Sequence, residues 1–316
     1  MPAALRSLFL TLRFLVLHPA SGGRPWVPLL AFLRWQLRKR LGLVRGPVQA
    51  DFVNGTRFLV DAHHGDSVGV LYTGLPEFWE MGFALHLLRP GDLFVDGGAN
   101  VGTYAVAAVA ATGATCVAAE PVPSTYAALR ANVALNRLDD RVSCLNLALG
   151  RASATLRMTG AHDSGNHVLV EGEATGDATS DATSDATSDA IIDVPARTLD
   201  AVLAGRSATL IKLDVEGYES AVLDGAPATL SHPDLLAVIL ELNGSGERFG
   251  MPDRVVHERM LALGFETFSY SAVTRALTSL GHRQSHLGNT IYLRHQAAVR
   301  ERLRTAPPFT IRGASF

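Results

Sequence analysis

Asp96, Gly98, Asn100 and Gly102 follow one another at every second position, directly after the apolar run Leu93-Phe94-Val95. An acid closing a short β-branched run, then glycines, then an Ala/Val-rich stretch up to Gly113 reads as a buried strand turning sharply into a helix. Gly98 and Gly102 can take positive φ and let the backbone approach a ligand, while the helix start offers free N–H groups. Such a turn makes a nucleotide pocket, and a strand-to-helix turn with no ligand is the alternative. Glu120, eighteen residues past Gly102, closes the next apolar run. An acid there can accept both hydroxyls of a ribose. Two later runs also end in acids: Thr209 to Leu213 leads to Asp214, with Glu216 two residues on, and Leu236 to Leu240 leads to Glu241, with Asn243 beyond. In open α/β sheets the carboxyl ends of the strands are the edge that binds ligands.

The elements that must carry these residues alternate. Strands are predicted at 93–95, 115–120, 142–147, 209–213, 236–241, 265–270 and 290–294. Helices are expected after Val101, from a Ser124 cap with Tyr126, Leu129, Val133 and Leu135 on its apolar face, and over 254–263. Thr198-Leu199-Asp200 starts another. The fold class is α/β: a seven-stranded sheet with helices on both faces, its last strand antiparallel, preceded by a helical and hairpin cap. Asn54-Gly55 between apolar runs predicts a hairpin in residues 52–60. Gly65, Gly69 and Gly74 space out a loop before a helix that runs through Leu88. Tyr72, Glu77 and Glu80 would then lie over the mouth of the pocket. His63 and His64 are adjacent, point different ways and share no metal.

A chain of 316 residues holds one large domain with appendages. Its net charge of −2 hides an asymmetry. The first 50 residues contain eight Arg or Lys and no acid, leaving 20 of the 28 basic residues against all 30 acids. An acidic body is no partner for nucleic acid. Leu5, Leu8, Phe9, Leu12, Leu15 and Val16 recur at helical spacing, and a second helix from about Pro28 to Leu41 carries Arg34, Arg38, Lys39 and Arg40. Arg13 and His18-Pro19 break the run of about 20 apolar residues that a span needs, and Arg13 interrupts any export signal. The arm, within residues 1–45, could contact an anionic membrane face, where each nearby Lys or Arg adds roughly 1 kcal/mol, or pack on the domain or on a second subunit. Cys116 and Cys144 lie in apolar runs, as buried thiols of a reducing, cytoplasmic compartment do. The Asp-Ala-Thr-Ser repeats starting at Asp177 have no apolar face, so a disordered insertion is expected at about 171–190.

The glycine turn lacks the Gly-x-Gly-x-x-Gly of a dinucleotide site, because Asn100 stands where the second glycine-to-helix approach is needed. Instead Asp-x-Gly-x-x-x-Gly resembles the first motif of class I S-adenosylmethionine-dependent methyltransferases, whose cofactor brings a cationic amino group and a sulfonium. With Glu120-Pro121, Asn132, Ala134-Leu135-Asn136 and Ala148-Leu149-Gly150, residues 75 to 295 resemble the FkbM family of these enzymes. The resemblance implies a Rossmann-like class I sheet, S-adenosylmethionine as cofactor, and Asp96, Gly98, Asn100 and Gly102 around its methionine end. It further implies Glu120 on the ribose and Asn146 to Ala148 beside the adenine. Gly97 departs from the family, which more often has a small apolar or β-branched residue there, and is expected to loosen the turn. The segment Lys212-Leu213-Asp214-Val215-Glu216-Gly217 is similar to one that faces the transferred methyl in the family. By that resemblance Asp214 and Glu216, joined by Glu241, are the candidate catalytic acids, as base or as holders of the cationic cofactor. With Asn243 they could instead bind Mg²⁺, but helix caps and cofactor contacts account for the same acids and no metal is assigned.

The resulting expectation is an O-methyltransferase acting on a hydroxyl of a sugar, glycan or natural product. The other readings are a nucleotide-cofactor oxidoreductase and a non-catalytic cofactor-binding scaffold at a membrane. The domain plan is an arm at 1–50, a hairpin and lid helix at 51–91, the methyltransferase domain at 92–295 and a loose tail at 296–316. The polar loop 281–286, with His282 and His286, could touch substrate.

Overall fold

The computed structural model describes residues 3–62, 64–160, 165–169, 191–286 and 288–316. His63 and the repeat insertion at about 171–190 lie outside the described residues. The chain opens with helices α1 (Ala3–Leu17) and α2 (Trp26–Arg40), then strands β1 (Val48–Asp51) and β2 (Arg57–Val60) and helices α3 (Gly65–Thr73) and α4 (Phe78–Leu87). The central part runs β3 (Leu93–Gly97), α5 (Thr103–Thr112), β4 (Thr115–Ala119), α6 (Pro123–Leu135), β5 (Val142–Leu145), β6 (Ala148–Leu149), β7 (Ala154–Thr159) and β8 (Ile191–Arg197). There follow α7 (Leu199–Leu203), β9 (Leu210–Leu213), α8 (Glu219–Asp224), α9 (Pro227–Ser231), β10 (Ala237–Glu241), α10 (Asp253–Ala262), β11 (Glu266–Ser271), β12 (Ala276–Ser279) and β13 (Asn289–Leu293). Helix α11 (Gln296–Thr305) and the short strands β14 (Thr310–Ile311) and β15 (Ala314–Ser315) end the chain.

Eight strands form the main sheet in the order β12-β11-β13-β10-β9-β3-β4-β5. The seven expected strands are all present, and β13 is antiparallel to both β10 and β11. The eighth, β12, is a four-residue hairpin partner on the edge, too short and too polar to announce itself. Strands β3, β4, β9 and β10 read as continuous apolar runs because both sheet faces are covered. Alternate residues serve two cores: Phe94, Ala118 and Ile239 face one, and Val95, Val117 and Ile211 the other. The chain leaves β3 outward to β4 and β5, then crosses to β9 and β10 on the other side, so the order reverses between β3 and β9. A ligand crevice opens at such a switch point.

Several local expectations are corrected. The three glycines before Pro76 do not make a loop, since Gly65 and Gly69 belong to α3 and only Gly74 ends it, at φ 82°. A Cβ at Gly69 would stand 3.0 Å from the Pro76 side chain, a contact that Pro76 would have to relieve by a few tenths of an ångström. The hairpin is real, but its first strand is β1, and Asn54-Gly55 sits in the connection with φ of 51° and 79°. Helix α6 starts at Pro123 after Val122, and Ser124 is inside it rather than its cap. Residues 296–316 are docked instead of loose. Phe309 and Ile311 are buried, and the Thr310 N–H donates to Asn54 Oδ1 at 2.7 Å. Asn132 and Asn136, part of the family pattern, tie the hairpin down: Asn132 Oδ1 accepts from Leu59 N at 2.7 Å, its Nδ2 donates to Val101 O, and Asn136 Oδ1 accepts from Arg57 N. Among the described residues no helix is long and apolar enough to cross a membrane. Cys116 and Cys144 are free thiols, the first buried and the second half-buried.

Candidate active site

A cleft of about 430 Å³ opens over the carboxyl ends of β3, β4, β9 and β10, within the usual ~300–1,000 Å³ of small-molecule sites. Asp96, Gly98, Asn100, Glu120, Ala148, Asp214, Glu216 and Glu241 all line it. Gly102 and Asn146 do not. Gly102 is the left-handed residue that starts α5, with φ 91°, and packs under Leu129, while Asn146 Nδ2 donates to the carbonyls of Glu120 and Pro121 and holds that turn. Both support the wall from behind.

The turn after β3 is fixed by the amides of Gly98 and Ala99, which donate to the Ala119 carbonyl at 3.0 Å. Gly98 has φ 76°, and a Cβ on it would lie 1.8 Å from the Asp214 carbonyl oxygen. The missing side chain makes room for a neighbouring strand end, and close approach of a ligand is not what requires it. Gly97 does not loosen the turn either. It lies inside β3, where a Cβ would press on Leu213 and Leu149. Asp96 is fully buried and spends one oxygen on the α5 start, where Ala105 N donates at 3.1 Å. Its Oδ1 has no hydrogen-bond partner among the described residues. Burial pushes the Asp96 carboxyl up to about 6 despite the Lys212 ammonium nearby. Glu120 accepts from the amides of Asn100 and Val122, both at 3.0 Å, and burial pushes it up to about 7.

The second half of the site centres on Lys212, which sequence reasoning passed over. Strand periodicity was its signal, since it stands two residues before Asp214 on the same face. Lys212 is buried, its Nζ lies 2.8 Å from Asp214 Oδ2 and 4.7 Å from the centre of the Tyr104 ring. Burial alone would lower the Lys212 ammonium, but the carboxylates of Asp214, Glu77 and Asp96 outweigh it and raise it. Glu77 lines the cleft and is held by two donors, Tyr104 Oη at 2.7 Å and Asn289 Nδ2 at 2.8 Å. Of the other residues expected over the mouth, Tyr72 turns to the arm, accepting from Gln36 Nε2 at 3.3 Å, and Glu80, one turn into α4, does not reach the cleft. Nor does the 281–286 loop, whose His282 carbonyl contacts His257 Nε2 at 2.8 Å. Met158 and Val168, beside the insertion, add an apolar wall that no motif marks.

Asp214 and Glu241 end the adjacent parallel strands β9 and β10, whose register pairs Leu213 with Leu240. Burial, the hydrogen bond to Asp214 and the charge of Asp214 push the Glu241 carboxyl up to about 9. Asp214 goes the other way: burial raises it, but Lys212 and the Glu241 hydrogen bond hold it below the usual range. The two carboxyls therefore titrate as a pair that holds one proton between them at neutral pH. Glu216 takes the left-handed conformation with φ 54°, and the loop around it is locked by Glu219, whose Oε1 accepts from Val215 N and Gly217 N. Asp214, Glu216 and Glu241 can bring carboxylate oxygens within 4.8 Å of one another, a spacing a divalent cation could use. Asn243 takes no part in this cluster, being exposed and accepting from Ser245 N. Lys212 already supplies the positive charge, and a metal would have to displace the Glu241 proton.

Residues 96–283, more than half of the chain, match the family model of the methyltransferase FkbM domain. The chain belongs to the FkbM methyltransferase family. No curated protein matches it in sequence. It is similar to the solved FkbM methyltransferase of Methylobacillus flagellatus, at 12% identity over 72% of this chain and 52% of that one, with a TM-score of 0.40. It therefore spans about half the length of that protein. Other similar structures are TYW2 of M. jannaschii, solved in complex with AdoMet (11% identity, 78% of this chain and 84% of that one, TM-score 0.37), and precorrin-6y C5,15-methyltransferase of Geobacter metallireducens (9%, 67% and 84%, TM-score 0.35). FkbM methyltransferases depend on S-adenosylmethionine. The residues present fit that cofactor. The unpartnered Asp96 Oδ1 suits a cationic amino group, Glu120 keeps lone pairs for ribose hydroxyls, and Met158, Val168 and Leu149 offer an apolar wall to a base.

Proposed function

We propose that this FkbM methyltransferase catalyses O-methylation of a hydroxyl on a sugar, glycan or natural product. The observation that carries the reading is the Lys212–Asp214–Glu241 cluster, which faces the same cleft as Asp96 and Glu120. Bound S-adenosylmethionine would supply an electrophilic methyl group on its sulfonium. The chain's part is first to align donor and acceptor, since the displacement is in line and alignment is most of the catalysis. Asp96 and Glu120 hold the cofactor end, with Asn100 and the Gly98 turn shaping it. At the other end, the acceptor hydroxyl bonds to the methyl carbon as the carbon–sulfur bond breaks, and its oxygen becomes positive. Its proton then leaves readily, and Asp214, kept ionised by Lys212, is the group placed to take it. Glu241 keeps its own proton and steadies Asp214, and Glu216 offers an acceptor at the rim. The free cysteines accord with work in the cytoplasm.

The test is calorimetric titration with S-adenosylhomocysteine of the wild type, Asp96→Ala and Asp214→Ala, followed by an acceptor screen with labelled cofactor. Binding that is lost at Asp96 and retained at Asp214, with methyl transfer abolished at Asp214, is the expected result. A wild type that binds no S-adenosylhomocysteine would sink the reading.

A further inference from the structure

Helices α1 and α2 bury one side against the body and leave the other bare. Leu15, His18, Ala20 and Trp35 make the seam, where His18 Nε2 lies 3.2 Å from the Pro76 carbonyl. Opposite it, Trp26, Leu30, Leu33, Leu37 and Leu41 are each between 46% and 61% exposed. Spacings of four, three, four and four residues put them on one stripe of α2 and its cap. On α1, Phe9 is 58% and Leu17 66% exposed. Around this apolar surface stand Arg6, Arg13, Arg34, Arg38 and Arg40, all exposed.

An apolar patch of this extent marks a surface that something covers. Its charge identifies what. The first 50 residues carry eight cations and no acid, so the arm of a second copy, laid face to face in a two-fold dimer, would set like charges against each other. An anionic bilayer answers both features. The apolar stripe enters the boundary between headgroups and acyl chains, and the long basic side chains reach back to the phosphates. Each helix has 15 residues, too few to span, so both would lie in the plane of the interface. We propose that the N-terminal helix pair docks this protein on an anionic lipid surface. Gly65 and Gly69 of α3 line both the cleft and the shallow groove between α1, α2 and α3, on the side of the helix pair that faces the body.

Vesicle flotation tests the docking with the full chain, on phosphatidylcholine alone and on phosphatidylcholine mixed with phosphatidylglycerol. Two double variants at exposed positions accompany the wild type: Leu33→Glu with Leu37→Glu, and Arg34→Glu with Arg38→Glu. The wild type should float with the anionic vesicles only and be released by salt, and each pair should weaken binding by about tenfold or more. A wild type that stays behind, or floats equally with both vesicles, overturns the proposal. So does a dimer in light scattering that Leu33→Glu with Leu37→Glu splits, which would assign the face to a second copy.

Discussion

The Lys212 ammonium lies 2.8 Å from Asp214 Oδ2, and the Glu241 carboxyl can bring an oxygen within 4.8 Å of the same Asp214 carboxylate. The arrangement arises from the sheet. Strands β9 and β10 are parallel neighbours that pair Leu213 with Leu240, so the next residues, Asp214 and Glu241, land side by side at the edge where ligand binds. Period-2 alternation then puts Lys212 under Asp214. Lys212 thereby holds Asp214 below the usual carboxylate range, while burial and Asp214 push the neighbouring Glu241 up.

Asp214→Asn keeps the shape and removes the charge. If Asp214 takes the acceptor proton, kcat should fall by about 10²–10⁴-fold, while affinity for S-adenosylhomocysteine changes little. Glu241→Gln leaves the hydrogen-bond donor in place and should cost much less. Equal losses of kcat in the two variants would remove the distinction between base and partner.

The shared proton also sets a pH dependence. Burial first, then the Asp214 hydrogen bond and charge, push the Glu241 carboxyl up to about 9, whereas the unfolded chain releases that proton near the ordinary glutamate value of about 4.3. The stability it contributes is full below the unfolded value and is lost as pH rises through the folded one. Burial holds Glu120 and Glu219 up at about 7, so their part is largely gone sooner. His86, held by burial down at about 4, acts in the opposite sense but only below its unfolded value of 6.5. From pH 7 to pH 9 the melting temperature should therefore fall, and Glu241→Gln should flatten that fall. Parallel melting curves across this range would show that Glu241 does not hold the proton.

Strand ends were the legible part of the chain. Each site acid closes an apolar run, and glycine or proline punctuates the residues just after it, so Asp96, Glu120, Asp214 and Glu241 could be placed on one edge from sequence alone. Residues fixed by distant partners were not legible. Gly65 and Gly69 carry a loop signal, yet α3 forms because the arm packs on it, through Trp35 and the Gln36–Tyr72 hydrogen bond. The end of the chain is tied down by Asn54, 256 residues away, and by burial of Phe309 and Ile311. Glycine is ambiguous in the same way: the sequence says that positive φ is allowed at 98, but not whether ligand or protein occupies the vacated space.

Asp96 Oδ1 is buried and unpartnered among the described residues, which suits a ligand cation. Asp96→Asn keeps an acceptor and loses the charge. A hydrogen bond to a charged group is worth about 1.5–3 kcal/mol, so the dissociation constant for S-adenosylhomocysteine should rise by about 10- to 100-fold in calorimetry. The unliganded variant should be no less stable, because the charge it removes is one that burial disfavours. Unchanged affinity would place the cofactor cation elsewhere.

Methyl transfer should be indifferent to chelation. Lys212 supplies the positive charge beside Asp214, and burial with the Asp214 charge pushes the Glu241 carboxyl up to about 9, whereas a cation would need it ionised. Adding EDTA, or Mg²⁺ in excess, should leave the rate unchanged. A rate that EDTA abolishes and Mg²⁺ restores would mean that Asp214, Glu216 and Glu241 act as ligands, as their spacing permits.

Gly98 and Gly97 should differ sharply as alanines. At Gly98 the new Cβ would stand 1.8 Å from a backbone oxygen, that of Asp214, at φ 76°, and neither strand end can withdraw because Asp214 N donates to Gly97 O at 3.0 Å. Overpacking and the left-handed backbone together should cost about 2–4 kcal/mol in urea unfolding. The movement that relieves the clash must displace Asp214, so catalysis should fall with stability. At Gly97 the Cβ would meet the Cδ2 of Leu213 and the Cδ1 of Leu149, ends of side chains that can rotate, and about 1–2 kcal/mol is expected. Similar midpoints for the two variants would mean that the turn yields more than its hydrogen bonds suggest, and that Gly98 is not what holds the two halves of the site together.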